Sequence, residues 1–495
     1  MGAWPARARR ASPSRPRLRP DRIDHASGTR TRVTALPQQA TRLPVYTEAL
    51  AGYGANLRFD DLPPHVVAAA SNCLVDAVAC AWFGSRFAWS QAVVSAVERP
   101  VGLVAVLGTD ITTDAASAAL LSGVFAHAFE LDSLRKPGAG VHPGATVALP
   151  ALAVAQSLGS SGRELLTAIV AGIEVMFRIG AATLHTAEKR GFHAPGITGV
   201  FGSAVAAGRL MGLSPRQMAH CLGIAASMSG GLLRFAASGD GGMIKRLHLG
   251  RAAQNGVIAA RLAAAGYEGP SAVIEGPGGV LETFCETSRP ELLDAGLGRR
   301  YEIETLCIKR YACHVTAQAP IQMLSDWRAA AMFGPADIAG IELDVAPKLA
   351  SHHAEQHPAD MALAQYSVPF MLAFSVYNDL DDPGTLTDGA IREPKVHALA
   401  DRIRMTADPA LKGWSTCMRV TLTDGRVLAG EPAGFLGCPE SPLDAAQLRR
   451  RFLSLTRAFP PSRMEALADA LESIATCSDV SRLPLGLVAG EGRQP

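Results

Sequence analysis

Residues 191–227 read GFHAPGITGVFGSAVAAGRLMGLSPRQMAHCLGIAAS. Apolar side chains recur at three- and four-residue spacings over Ile197–Met211 and again over Ser214–Ser227, which predicts two helices. Alanine and glycine fill the positions where neighbouring helices must come close. Gly212-Leu213-Ser214-Pro215 ends the first helix and opens the second, with Ser214 as N-cap and Pro215 at the first helical position.

The same pattern extends in both directions. Val66–Trp82, Ala115–Phe129, Gly162–Ile179 and Arg251–Ala265 read as helices, so residues from about 43 to 282 form a mostly helical region. Beyond Leu306 the texture changes to α+β. Ile338–Val345 and Cys417–Leu422 alternate as strands do, and Thr423-Asp424-Gly425-Arg426 is a hairpin turn into Val427-Leu428. Ser441-Pro442-Leu443-Asp444 reopens helical patterning through Thr476, which is expected to pack back on the first region. No internal repeat or heptad pattern is evident.

The chain has 495 residues, 48% hydrophobic and 19% charged, which excludes wholesale disorder and suffices for a sizeable core. Its net charge of +2 hides an asymmetry. Residues 1–42 hold ten arginines and two aspartates, which leaves 37 basic and 43 acidic residues in the remainder. The body is therefore acidic, which argues against nucleic acid as a partner. The arm itself, arginine interleaved with proline and serine and lacking an apolar run, reads as disordered. Nine cysteines, with no C-x-x-C pair, fit a reduced, cytoplasmic protein and offer no tetrahedral zinc cluster. The longest charge-free stretch, 137–162, is broken by Pro143, Pro150 and glycines, which argues for packed helices and not a membrane span.

Four segments place ionisable groups in apolar, glycine-rich surroundings, where buried charge is costly unless paired or used. In His127-Ala-Phe-Glu130-Leu-Asp132-Ser133, followed by Val141-His142-Pro143-Gly144, carboxylates precede a loop histidine suited to acid/base work or to plain hydrogen bonding. In Gly191-Phe192-His193-Ala194-Pro195 the histidine precedes a helix start, where it either meets an anion or merely shapes a turn. Gly242-Met243-Ile244-Lys245-Arg246-Leu247-His248 lacks the spacing of a phosphate loop, so a carboxylate-binding lysine competes with an exposed cationic turn. Cys307-Ile308-Lys309-Arg310-Tyr311-Ala312-Cys313-His314 lies where the texture changes, a common place for a cleft. Gln365-Tyr366-Ser367-Val368-Pro369-Phe370 puts a tyrosine at the head of an apolar helix, where core packing is the default reading.

Together HAFELDS with VHPGAT, the 191–214 segment, GGMIKRLHLGRAAQNGVIAARLAAAGYEGP, CIKRYACH and AQYSVPF resemble the MmgE/PrpD family over about residues 43 to 480. That family contains 2-methylcitrate dehydratases, cis-aconitate decarboxylases and an iminodisuccinate epimerase. The resemblance implies a mostly α fold: a helical domain of residues 43–304 and 436–490, an inserted, smaller α+β lid of residues 305–435, and a homodimer. It implies no metal and no organic cofactor, and neither nucleic acid nor membrane enters as a partner. His142, His193, Lys245, His314 and Tyr366 match the family's catalytic positions, with Glu130, Asp132, Lys309 and His248 beside the substrate. One departure stands out: many members read DFDD where this chain has Glu130-Leu131-Asp132-Ser133.

The implied chemistry takes place at a carbon next to a carboxylate. A histidine base and acid, His142 and His193 in either order, would work beside fixed cations that hold the developing charge. The expectation is a cofactor-independent lyase acting on a small di- or tricarboxylic acid, a hydro-lyase of the 2-methylcitrate dehydratase type. The alternatives are a decarboxylase of the cis-aconitate type, an epimerase of the iminodisuccinate type, or a catalytically silent carboxylate-binding dimer.

Overall fold

The computed structural model describes residues 46–138, 141–236 and 242–487, and the arginine-rich arm of residues 1–42 lies outside them. The described residues are 57% helical, so the mostly α expectation holds. The quoted stretch folds as read: helices Ala194–Leu210 and Pro215–Ser227 meet at a capping box in which the Ser214 amide donates to Gln217 Oε1 at 3.1 Å.

The core is a layered stack of helices whose small residues set the spacing. Ala194–Leu210 packs against both Gly162–Ala182 and Ile244–Ala264, and Ile244–Ala264 packs against Ala115–Ala126. At the last crossing Gly250 and Gly123 face each other. A Cβ on Gly123 would lie 3.0 Å from Gly250 Cα, so the two backbones touch with no side chain between them. This close approach brings Lys245, in the first turn of one helix, to the C-terminal end of the other.

Two of the helices differ from the sequence reading in ways that matter at the site. Ala115–Ala126 stops three residues before Phe129, and residues 127–133 leave it as an irregular segment in which Glu130 has φ 56°, in the left-handed region. Ile244–Ala264 begins seven residues earlier than Arg251, so Lys245, Arg246 and His248 are helical and not part of a cationic turn. Gly144–Ala148 forms a single π-helical turn that runs into Leu149–Leu158.

The α+β stretch contains one four-stranded sheet in the order Ile403–Ala407, Ile338–Val345, Thr416–Leu422, Val427–Gly430. Ile338–Val345 is central, parallel to Ile403–Ala407 and antiparallel to Thr416–Leu422. The hairpin at 423–426 is present. The strand Ile403–Ala407 has only Ile403 buried, so it lacks the alternation that marks its neighbours. Ala445–Thr456 and Pro461–Glu472 return to pack on Pro64–Gly84, where Trp82 meets Phe459 edge-to-face at 4.7 Å between centroids.

Pro64–Gly84 and Gly162–Ala182 are long and apolar enough to cross a membrane by length and composition, and their most apolar windows are 72% and 94% buried within the fold. They are core helices here.

The Gly123/Gly250 crossing is directly testable. A Cβ on Gly250 would lie 2.5 Å from both the Leu120 carbonyl oxygen and Val124 Cγ2. Gly250→Ala is expected to destabilise the protein by about 1–3 kcal/mol, the usual cost of overpacking a tight core, measured as a shift in the urea midpoint.

Candidate active site

The site grows from the end of the Ala115–Ala126 helix, where the carbonyls of residues 128–131 have left the helical ladder and need other donors. Each receives one from a different part of the chain. Arg246 Nε donates to Ala128 O at 2.8 Å, Gln365 Nε2 to Phe129 O at 2.9 Å, Lys309 Nζ to Glu130 O at 2.9 Å and Arg451 Nη2 to Leu131 O at 3.0 Å. The segment is thereby held rigid in a conformation that places two acidic side chains, Glu130 and Asp132.

Asp132 is fully buried and holds two imidazoles. Its Oδ1 accepts from His127 Nδ1 at 2.8 Å and its Oδ2 from His142 Nδ1 at 3.1 Å. Burial alone would raise the Asp132 pKa, but the two histidines outweigh it and hold the carboxyl well below its ordinary value. An ionised carboxylate only accepts, so both Nδ1 atoms carry hydrogen. His127 Nε2 is buried, has no hydrogen-bond partner among the described residues and lies 3.7 Å from Glu130 Oε1. Burial drives the His127 pKa well below 6.5, so this imidazole stays neutral.

Three donor atoms of His127, Asp132 and His142 lie within 4.8 Å of one another, close enough for a cation. Both Nδ1 atoms are already committed to the carboxylate, so the group reads as a base-orienting hydrogen-bonded triad and the donor set does not fit a metal seat.

Glu130 gathers the cations. Lys245 Nζ pairs with Glu130 Oε1, and Lys309 Nζ lies 3.2 Å from Oε2. Burial, then Lys309 and Arg246, push the Lys245 ammonium well below its usual range, and burial also lowers Lys309. Lys245 Nζ sits 4.5 Å from the centre of the Tyr366 ring. Tyr366 in turn lies 5.1 Å from the His314 ring, which stacks on His353 at 4.1 Å. His353 is anchored through Nδ1 to the Tyr366 carbonyl at 3.0 Å, which requires its Nδ1 to carry hydrogen.

His193, the N-cap residue of Ala194–Leu210, shares a 3.0 Å Nδ1···Nδ1 hydrogen bond with His248. One ring must donate and the other accept, so the two neutral histidines hold opposite tautomers. Burial, then His248, His127 and His142, lowers the His193 pKa well below 6.5. Phe235 packs edge-on against His193 at 5.0 Å and joins Glu130, Lys245, Arg246, Asp360 and Tyr366 in lining a pocket of about 520 Å³, part of it open to solvent.

All nine residues singled out in the sequence therefore fall in one neighbourhood, drawn from the helical region and from the 305–435 stretch. Lys309 is 2% exposed and spends its ammonium on Glu130, which makes its contacts internal. Four further residues belong to the site: His127, Arg246, Gln365 and His353. His127 was visible in the HAFELDS motif, three residues from Glu130. Gln365 lay in the quoted AQYSVPF motif, whereas His353 carries no sequence signal, because chain folding alone brings it to His314.

Residues 48–293 match the MmgE/PrpD N-terminal domain and residues 311–475 the MmgE/PrpD C-terminal domain. The chain belongs to the MmgE/PrpD family. A cis-aconitate decarboxylase of Aspergillus terreus is 28% identical over 469 residues, covering 88% of this chain and 94% of that protein. The cis-aconitate decarboxylase-like protein oryM of Aspergillus oryzae is 28% identical over 485 residues, covering 90% and 97%. Human cis-aconitate decarboxylase is 27% identical over 396 residues, covering 76% and 79%.

Two outcomes follow from this geometry. Asp132→Asn leaves an amide that cannot accept from both imidazoles and frees one of them to turn. Turnover is expected to fall roughly 10²–10⁴-fold, the scale seen when a base-orienting carboxylate is replaced, with near-native circular dichroism. The second concerns pH. His353 titrates at about 4 in the folded protein because of burial, against 6.5 for an ordinary histidine. Between these values the unfolded chain binds a proton that the folded chain refuses, so stability is kept above pH 6.5 and falls as the pH drops toward 4. His353→Gln should shrink the difference in thermal midpoint between pH 7 and pH 5.

Proposed function

We propose that this protein is a cofactor-independent lyase that decarboxylates a small di- or tricarboxylic acid. The observation that carries the reading is the Asp132-held histidine pair set next to Glu130, the carboxylate that the buried Lys245 pairs with at the pocket wall. The comparisons favour decarboxylation over the 2-methylcitrate dehydratase type, because the curated relatives are named as cis-aconitate decarboxylases. The coarser expectation, a family lyase acting next to a carboxylate, is common to both.

In this reading Lys245 and the donors around it bind a carboxylate of the substrate. The bond to the departing carboxylate breaks, its electron pair moves toward a neighbouring unsaturated or carboxyl-bearing carbon, and carbon dioxide leaves. The resulting carbanion takes one proton, with His142 or His193 as the group that relays it from solvent. Burial makes this effective, since fixed cations act on developing charge far more strongly in a water-poor pocket than in bulk. His314 and Tyr366 position the substrate from the 305–435 side, which in this reading acts as a lid. A cytoplasmic homodimer is part of the same proposal.

The test is proton NMR in heavy water, with carbon dioxide release followed in parallel, on a panel of di- and tricarboxylates that includes cis-aconitate and 2-methylcitrate. Carbon dioxide loss that drops at least 10²-fold in His142→Ala or His193→Ala supports the proposal. Water loss without carbon dioxide release would return the protein to the hydro-lyase reading, and turnover unchanged in both variants would remove these histidines from the chemistry.

A further inference from the structure

The proposal in this section rests on the carboxylate-site reading and narrows it. Glu130 is the residue on which the site's cations converge. Lys245 and Lys309 both pair with its carboxylate, one on each oxygen. Its backbone is equally fixed: Glu130 has φ 56°, a left-handed conformation unfavourable for a side-chain-bearing residue, and its carbonyl accepts from Lys309. The side chain is therefore aimed, not free, and it lines the pocket beside Lys245 and Tyr366.

The charge balance of the pocket follows from this. Among the described residues its lining carries two cations, Lys245 and Arg246, and two carboxylates, Glu130 and Asp360. Asp360 caps the Met361–Tyr366 helix by accepting from Leu363 N at 2.9 Å. Arg246 donates to Ala128 O and lies 4.6 Å above the Trp89 ring. Lys309 is buried behind Glu130. The one lysine that lines the cavity is thus already matched by an internal carboxylate of the same chemistry as a substrate arm.

We propose that Glu130 is a specificity-determining residue that occupies one carboxylate position of the pocket, so that the site takes a dicarboxylate in preference to a tricarboxylate. A third substrate carboxylate would have to share Lys245 with Glu130 in a water-poor site, where like charges repel strongly. A substrate carrying hydrogen or a methyl group at that position meets no such opposition. An aspartate, one methylene shorter, would draw the charge back toward the main chain and leave more of Lys245 to the ligand.

The experiment uses the full-length protein and two unreactive probes, the tricarboxylate tricarballylate and its dicarboxylate counterpart glutarate, with binding measured by isothermal titration calorimetry. Wild type is expected to bind glutarate at least tenfold more tightly than tricarballylate. Glu130→Gln, which keeps the shape and removes the charge, is expected to cut that ratio at least tenfold by tightening tricarballylate binding. Wild type preferring tricarballylate overturns the proposal and leaves the carboxylate-site reading intact; this arm holds whether or not the variant folds. A folded Glu130→Gln protein with the wild-type ratio also overturns it. Failure of wild type to bind either acid overturns the carboxylate-site reading together with the proposal.

Discussion

Four consecutive carbonyls, those of residues 128–131, each depend on a side-chain donor from elsewhere in the chain, and the rest of the site depends on those four hydrogen bonds. A buried carbonyl left unmet costs about 1–3 kcal/mol, and three of the four donors are cationic, which strengthens the bonds. The donors come from residues 246, 309, 365 and 451, so the segment carrying Glu130 and Asp132 is fixed only when distant parts of the chain have closed around it. Arg451 joins the Ala445–Thr456 helix to this arrangement and also pairs with the buried Asp76 at 2.9 Å. The C-terminal segment thus supports the site without lining it.

Charge compensation forms a second layer on that frame. Asp132 holds two histidines through their Nδ1–H groups, while Glu130 pairs with two lysines. Without these carboxylates the pocket would hold several cations in a low-dielectric space, which is costly. The histidines respond to the same pressure by staying neutral: His127, His193 and His314 are all held well below 6.5, with burial the largest cause in each. Neutral imidazoles can accept a proton, and their cations give it up readily. A pocket of that kind is suited to moving protons at carbon next to a carboxylate.

Much of this arrangement was legible in the sequence because it is written in local patterns. The Gly212–Pro215 punctuation and the alternating Ile338–Val345 strand are short-range effects of backbone conformation and side-chain period. The motif residues His142, His193, Lys245 and His314 stood out because ionisable groups rarely occur in such apolar surroundings. The early start of the Ile244–Ala264 helix was hidden by the glycines before it, and the parallel strand Ile403–Ala407 by the exposure of most of its side chains. Hairpin pairing leaves a turn in the sequence, whereas parallel pairing between distant strands leaves none.

The sequence by itself determined which groups are available, a mostly helical body with small residues at its crossings and a set of histidines, lysines and carboxylates in apolar settings. Tertiary structure alone decided their partners. It gave Asp132 two imidazoles, set Glu130 against Lys245 and Lys309, and brought His353 and Gln365 to His314 and Phe129. The physical reason is that helix period and capping act over a few residues, whereas a buried charge or carbonyl is satisfied by whichever donor the packed helices bring within about 3 Å.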